Sequence, residues 1–381
     1  MLSELERLPH DPTGTLRAWD AADELLLEHL SGLTTRPGEL FVLNDAWGAL
    51  ACGLAERGPW VQTDSFVARR AIAANLRRSG IDPSLVAVLG SFAPVPPVVA
   101  VLVVKIPKTL ALLEAQLRLL RPSLRSGSVV VAGAMTRHVH TSTIAVFEQL
   151  VGPVRTTPAR RKARLLLAEF DDGLDPQGDT WPRSSLVVPG GSSGTEPVQA
   201  VQHAGVFAAD GFDPGTRLLL EHLPSSPVAE AIVDLGCGNG IVGTTAARLH
   251  PEAAVTFADE SDRAVASAEA TFRANLGDDR SAEFVVADGL SHAESAGLPL
   301  DGSVDLVLLN PPFHRHHSAD DSTAWRLFGD AHRVLRPGGE LLVVGNRHLG
   351  YHARLRRRFG NSEVVASNPR FVLVRAIRRG R

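Results

Sequence analysis

The sequence predicts an α/β protein of two doubly wound domains in tandem, each built around a largely parallel sheet. Three observations predict it. Short apolar runs of strand length alternate with longer stretches of helical periodicity through most of the 381 residues, the pattern of parallel strands joined by crossover helices. That pattern loosens from about Gly173 to Gln199, where Val188-Pro-Gly-Gly-Ser-Ser-Gly-Thr-Glu-Pro197 has Pro and Gly at both ends and little to pack; it reads as a linker or long surface loop. The same order of features then recurs on both sides of that stretch. The expected division is a first domain over 1–172, a linker over 173–199 and a second domain over 200–381. A chain of this length has room for two cores without a metal or disulfide staple.

In the first half, Leu40-Phe-Val-Leu43 is a strand entering Asn44-Asp-Ala-Trp-Gly48. Val61-Gln-Thr63 ends at Asp64, and its helix finishes with Ala74-Asn75-Leu76. The strand Val98–Val104 runs into Lys105-Ile-Pro-Lys108, followed by Leu120-Arg121-Pro122 and the strand Ser128–Ala132. In the second half, Ala231-Ile-Val-Asp-Leu235 runs into Gly236–Gly240. Ala254–Ala258 ends at Asp259, and its helix finishes with Ala274-Asn275-Leu276. Val304–Leu309 is followed by Asn310-Pro-Pro-Phe313, then Leu335-Arg336-Pro337 and the strand Glu340–Gly345. The matching order points to an ancient duplication.

Composition excludes several classes. With only Cys52 and Cys237 there is no disulfide framework, so a reducing cytoplasm is the expected location. The acidic start, with Glu4 and Glu6, is unlike a signal peptide, and no apolar run approaches the roughly 20 residues of a membrane span. Net charge is −3, with 20 basic against 20 acidic residues up to Glu196 and 19 against 22 beyond it. Neither half is basic as a whole, so a nucleic-acid surface must be a local patch.

The loop Asp234-Leu-Gly-Cys-Gly-Asn-Gly240 follows a strand and precedes a helix. Its glycines let backbone approach a ligand closely. A Gly-rich turn by itself is a weak signal, because dinucleotide enzymes use a related one. Here Asp234 stands two residues before the first glycine, where a carboxylate suits the ammonium end of S-adenosylmethionine and has little use beside a pyrophosphate. Gly236, Cys237, Gly238 and Gly240 line the cradle, with Cys237 a small loop residue rather than a nucleophile. Asp259 at the end of the second strand is placed for the ribose hydroxyls, with Asp262 left to cap the helix. Asp288, after Glu283-Phe-Val-Val-Ala287, is placed for the adenine amino group. Phe207 is a candidate to pack on the methionyl portion, and Asp213 or Thr216 is either a helix cap for Arg217–Leu223 or a cofactor contact.

Asn310-Pro311-Pro312-Phe313 ends an apolar strand, and ligand sites of open α/β sheets lie at such carboxyl ends. An exocyclic amine on a planar ring has its lone pair delocalised and is a poor nucleophile. The Asn310 side-chain oxygen and the Pro311 carbonyl can each accept one of its N–H groups and turn the lone pair toward a methyl donor. Phe313 offers a face on which a base stacks, and the two prolines stiffen the turn. His314, His316 and His317 follow, but they lack a metal-ligand spacing, and no metal is expected. The motif alone says planar nitrogen and does not separate guanine from adenine.

These residues together resemble the bacterial ribosomal RNA guanine-N2 methyltransferases. The resemblance covers nearly the whole chain: Leu16-Arg-Ala-Trp-Asp-Ala-Ala-Asp23, Leu43-Asn-Asp-Ala46, Ile106-Pro-Lys-Thr-Leu-Ala-Leu-Leu-Glu114, His140-Thr-Ser-Thr143, Lys162-Ala-Arg164, the Gly loop, Asn310–His314 and Asn346-Arg-His-Leu349. The Pro107-Lys-Thr-Leu110 and Phe359-Gly-Asn361 segments look most like the large-subunit enzymes. The resemblance implies two class I methyltransferase (Rossmann-like) domains. The second would bind S-adenosylmethionine; the first would be degenerate and help hold RNA, with 23S ribosomal RNA as substrate and the chain a monomer. The Gly/Ser/Pro-rich linker departs from the family, as does Asp288 where relatives can carry Asn.

The first half fits that implication on its own chemistry. Trp47 stands where a cofactor needs open backbone. Lys105 and Lys108 put cations where the amine acceptor belongs, and a lysine can meet a phosphate but cannot accept an N–H. Arg155, Arg160, Arg161, Lys162 and Arg164 form a basic run with no acid between Gln149 and Ala168, and Arg354, Arg356, Arg357 and Arg358 form another. Such groups set affinity rather than sequence choice. Three rivals stay open on sequence: 16S ribosomal RNA as substrate, N6-adenine methylation of DNA, and a non-catalytic RNA-binding assembly factor.

Overall fold

The computed structural model describes residues 2–10, 14–33, 39–178, 180–187, 196–207, 213–224, 229–293, 297–311 and 318–380. The chain forms two compact units, 1–180 and 181–381.

In the first unit the strands are β1 (Leu40–Leu43), β2 (Trp60–Gln62), β3 (Ala87–Leu89), β4 (Val101–Lys105), β5 (Val129–Met135), β6 (Val154–Thr156) and β7 (Ala163–Glu169). Helices α1 (Ala21–Leu30), α2 (Ala49–Gly53), α3 (Phe66–Arg78), α4 (Leu110–Leu120) and α5 (Thr141–Leu150) cover the sheet. Its order is β3-β2-β1-β4-β5-β7-β6, parallel from β3 to β5 and antiparallel beyond. Successive side chains of a strand point to opposite faces. Accordingly Leu40, Val42, Val101 and Val103 enter one core, while Phe41, Leu43, Leu102 and Val104 enter another on the far face. Burial on both faces is why these strands read as continuous apolar runs.

The second unit repeats the plan. Its strands are β8 (Arg183–Val187), β9 (Val198–Gln202), β10 (Ala231–Leu235), β11 (Ala254–Asp259), β12 (Glu283–Asp288), β13 (His292–Ala293), β14 (Val304–Leu309), β15 (Leu335–Asn346), β16 (Glu363–Ser367) and β17 (Phe371–Ile377). Its helices are α6 (Pro214–Leu220), α7 (Ile241–Leu249), α8 (Asp262–Leu276), α9 (Ser318–Val334) and α10 (Tyr351–Phe359). The sheet order is β13-β12-β11-β10-β14-β15-β17-β16, and β8 and β9 form a separate antiparallel pair. Strand order reverses between β10 and β14, the switch point where such sheets open a crevice.

The structure moves three boundaries. Residues 183–187, inside the stretch read as linker, form a strand paired with β9. β4 begins at Val101 rather than Val98, after Pro96-Pro97 and an exposed Val98. α6 begins at Pro214 rather than Arg217, because proline at the first helical position already has the helical φ and lacks only an N–H that would be orphaned there.

The repeat extends to single side chains. In the last turn of α3, Asn75 Oδ1 accepts from the backbone N–H of Glu6 and Nδ2 donates to its carbonyl. In the last turn of α8, Asn275 does the same to Gln199. Gly48 and Gly240 are the left-handed N-caps of α2 and α7. Leu43 pairs with Val104 and Leu235 with Leu309, so Lys105 and Asn310, the next residues, hold equivalent positions. The same reckoning puts Thr63, not Asp64, at the place of Asp259.

Candidate active site

Asn310 leaves the end of β14 beside β10. Its Nδ2 donates to Thr216 Oγ1 at 2.8 Å and to Asp213 Oδ2 at 3.2 Å. A carboxylate only accepts, so the amide orientation is determined by its partners. The other end of the amide, Oδ1, is buried with no hydrogen-bond partner among the described residues. Leaving a buried acceptor without a donor costs about 1–3 kcal/mol, so this oxygen can take an N–H. Pro311 is buried next to it. Pro312 and Phe313 lie outside the described residues, as do His314, His316 and His317.

Asp234 ends β10 with its carboxylate buried, accepting the Gly243 N–H at 2.8 Å. Burial pushes its pKa up to about 7; the Gly243 N–H opposes this and the charge of Asp259 adds to it. In the unfolded chain the group titrates near 3.8. The folded, cofactor-free protein therefore holds an extra proton between these limits. The stability this confers is full below pH 3.8 and is lost as pH rises through about 7. Measured by denaturant unfolding across that window, wild type is expected to lose stability relative to Asp234→Asn, by at most roughly 1.4 kcal/mol per pH unit. A pH-independent difference would contradict the buried, protonated carboxyl.

Asp259 ends β11 and braces the Gly loop: Oδ2 accepts the Gly238 N–H at 3.1 Å and Oδ1 the Ser261 N–H at 3.0 Å. Ser261, not Asp262, caps α8, through the Ala264 N–H. Gly236 and Gly238 both have positive φ, and a Cβ built on either meets no atom of the described residues within 4 Å. The upper face of the loop is thus open backbone. Gly240 is the opposite case, its built Cβ falling 2.6 Å from Ala268 Cα. The Cys237 thiol is buried and its pKa pushed well up by that burial and by Asp259 and Asp234, which disfavours a thiolate. Asp288 ends β12 with its carboxylate 2.5 Å from Arg326, a partner that sequence did not foresee. Phe207 is exposed after β9, at 59%.

Asp213 is the N-cap of α6, accepting the Thr216 N–H at 2.8 Å. Of the alternatives posed by sequence the cap is the one observed, made by Asp213, and both residues also hold Asn310. No motif announces that contact, since it spans more than ninety residues.

Lys105 requires a correction. Its ammonium lies 2.7 Å from both Asp20 and Asp23, with its side chain 17% exposed. Burial works against its charge, but Asp23 and Asp20 outweigh it and raise its pKa. It is committed within the unit and does not face a phosphate. Lys105→Met would leave Asp23 buried without its cation, and a loss of about 3 kcal/mol is expected in denaturant unfolding; a change below about 0.5 kcal/mol would refute the internal pairing. Arg160 pairs with Glu28 at 2.7 Å and Arg161 with Glu24, both exposed, while Lys108 and Lys162 are exposed and Arg164 is half-buried. The vestigial loop is filled from within. Asp45 accepts the N–H groups of Gly48 and Ala51, and Arg7 stacks on Trp47 at 4.2 Å. Val42 stands where the second unit has Asp234.

Residues 2–172 match the family model described as the RLMG N-terminal domain, and residues 197–375 match the methyltransferase small domain. The ribosomal RNA large subunit methyltransferases G of Streptomyces avermitilis and Streptomyces coelicolor are each 52% identical to this chain, over 98% of it and 97% of their own length. The chain belongs to the ribosomal RNA large subunit methyltransferase G family. A Streptomyces griseus member is 48% identical over 99% of the chain. A 16S rRNA N2 methyltransferase of T. thermophilus, solved with AdoMet and guanosine, superposes with a TM-score of 0.74 at 22% identity, over 94% of this chain and 92% of that one. At that identity the likeness speaks for the fold, the tandem methyltransferase architecture that this family member carries. Among the described residues no cluster of His, Cys, Asp and Glu could hold a metal, and no helix is long and apolar enough to cross a membrane.

Proposed function

We propose that this chain transfers a methyl group from S-adenosylmethionine to the exocyclic N2 amine of one guanine in 23S ribosomal RNA. The observation that carries the reading is the buried Oδ1 of Asn310 at the end of β14, an acceptor with no partner among the described residues. The naming of the 52% identical relatives favours the large subunit over the small.

The residues present fit the cofactor. The open faces of Gly236 and Gly238 admit a ligand against backbone, with Cys237 beneath and Gly240 turning the chain into α7. Asp234 would meet the ammonium group, Asp259 the ribose hydroxyls and Asp288 the adenine amine, with Phe207 against the methionyl portion. When bound, the cofactor supplies a methyl group on a cationic sulfonium. Because the Asp234 carboxyl titrates near 7 without it, and the ammonium favours the ionised form, cofactor affinity falls as pH drops below about 7.

Asn310 Oδ1 and the Pro311 carbonyl would each accept one N–H of the amine. That holds its lone pair toward the methyl donor and favours a pyramidal nitrogen, an orientation worth on the order of 7–11 kcal/mol when geometry is ideal. Phe313 would stack on the base, flipped from its helix to reach the crevice. The proton released from nitrogen is assigned to water.

RNA phosphates would meet Lys108, Arg160, Arg161, Lys162 and Arg164 of the first unit. Exposed ion pairs such as Arg160–Glu28 are worth little, so a phosphate can displace the glutamate. In the second unit Arg358 and Arg379 line a cavity of about 960 Å³ beside α9 and α10 and would meet a phosphate there, while Arg326 and Arg333 in the same lining are held by Asp288, Asp301 and Asp330.

The deciding experiment incubates the protein with labelled cofactor and separately purified 16S and 23S RNA, then identifies the labelled nucleoside by mass spectrometry. N2-methylguanosine in 23S RNA is expected. Label in 16S RNA alone would reassign the substrate, and label only in DNA or protein would overturn the reading.

A further inference from the structure

The amide of Asn310 has two ends of nearly equal size, and only one accepts a hydrogen bond. Which end faces the crevice decides whether the residue holds an amine N–H or opposes it. Both amide hydrogens are taken, by Thr216 Oγ1 at 2.8 Å and Asp213 Oδ2 at 3.2 Å. The Thr216 hydroxyl lies 3.2 Å from the same Asp213 oxygen and donates to it. The network therefore runs in one direction and ends on a carboxylate that cannot donate. Turning the amide over would set its oxygen against that carboxylate and leave its nitrogen where the acceptor stood.

We propose that Asp213 and Thr216 are positioning residues for methyl transfer, locking the Asn310 amide with Oδ1 toward the amine of the substrate. This deepens the reading of the site given above and rests on it.

The first unit argues independently that these two positions exist to hold a strand-end side chain. Lys105 stands at the place of Asn310, and its ammonium is 2.7 Å from both Asp20 and Asp23. Asp20 is the N-cap of α1 and Asp23 the third residue of that helix. Asp213 and Thr216 hold the same two positions in α6. The partners track the group they hold: a cation meets two carboxylates, and a neutral amide meets one carboxylate and one hydroxyl. Helix capping alone does not ask for this. It needs the Asp213 carboxylate and the backbone N–H of residue 216, and makes no use of the Thr216 hydroxyl. The hydroxyl is required only if the Asn310 amide must be oriented.

The test uses the full chain with S-adenosylmethionine and unmethylated 23S RNA. Thr216→Val keeps the shape and the backbone cap but removes the acceptor; Asp213→Asn keeps the cap, asparagine being as good there, but lets the facing amide donate and so permits the wrong orientation. Each is expected to lower kcat roughly 10–100-fold, the scale of a small misplacement in a reacting constellation. KM for RNA, the cofactor Kd and the thermal midpoint should be nearly unchanged, and Thr216→Ser should restore turnover. In an Asn310→Ala background, Thr216→Val should add no further loss, because there is no amide left to orient.

Wild-type kcat in both Thr216→Val and Asp213→Asn would overturn the proposal, and so would a full additional loss in the Asn310→Ala background. If Thr216→Val does not fold, Asp213→Asn carries the test. An Asn310→Ala protein with unchanged turnover would instead defeat the reading of the site itself, so the two failures are distinguishable.

Discussion

Asn310→Ala is expected to lower kcat by roughly 10²–10³-fold, the cost of deleting one preorganised polar group that acts on the reacting centre. The variant removes Oδ1, which has no partner among the described residues, together with the amide nitrogen that ties it to Asp213 and Thr216. Fold and cofactor binding should survive. The cradle is built from β10, β11 and their loops, and the Asp213 cap on α6 is kept through the Thr216 N–H. The cofactor Kd should therefore stay within about twofold, so that the loss appears in the chemical step rather than uniformly in binding. Single-turnover methyl transfer and equilibrium cofactor binding on the same preparation separate these. Unchanged turnover would remove Asn310 from the chemistry, and a parallel collapse of cofactor affinity would make it a structural residue of the crevice.

Gly240→Ala is expected to cost about 3–5 kcal/mol of stability, whereas Gly238→Ala should cost about 1–2 kcal/mol yet abolish cofactor binding. Both glycines have positive φ, at 74° and 53°, so an alanine is strained at either. They differ in what lies above them. A Cβ on Gly240 falls 2.6 Å from Ala268 Cα and 2.7 Å from its Cβ, and a backbone atom of α8 cannot step aside as a flexible side chain does. A Cβ on Gly238 meets nothing among the described residues within 4 Å and would project into the space assigned to the ligand. Thermal unfolding of both variants, with and without cofactor, tests the contrast. Gly240→Ala should shift the midpoint by roughly 6–20 °C, and Gly238→Ala should lose the stabilisation that added cofactor gives wild type. Equal behaviour of the two variants would contradict this division of roles.

Much of the site was legible because the residues that make it stand at strand ends, and strand ends are written locally. Ala231–Leu235, Ala254–Asp259 and Val304–Leu309 are mainly apolar runs with a polar residue at or just past the carboxyl edge, which is why Asp234, Asp259 and Asn310 stand out. The alternation of apolar runs with helical stretches and the recurrence of Ala-Asn-Leu in both halves are visible for the same reason. What escaped was every contact made across the chain. The pairing of Asp288 with Arg326, the use of the basic run at Arg160 and Arg161 by Glu28 and Glu24, and the withdrawal of Lys105 into Asp20 and Asp23 all join residues far apart in sequence.

By itself the sequence determined that this chain folds as two α/β units, that the second carries a Gly loop and an Asn-Pro-Pro-Phe run after a strand, and that the first has neither. Those are properties of periodicity and of residue type at a given place in a strand–loop–helix unit, and they need no partner to be read. Only the tertiary structure decided which polar atoms were spent and which were left over. Lys105 and Asn310 hold equivalent places and both meet the first turn of a preceding helix. The ammonium is consumed there entirely, while the amide is consumed at its nitrogen and keeps its oxygen. Hydrogen bonds saturate and have direction, so the capacity that remains at a site depends on all the neighbours that folding brings to it.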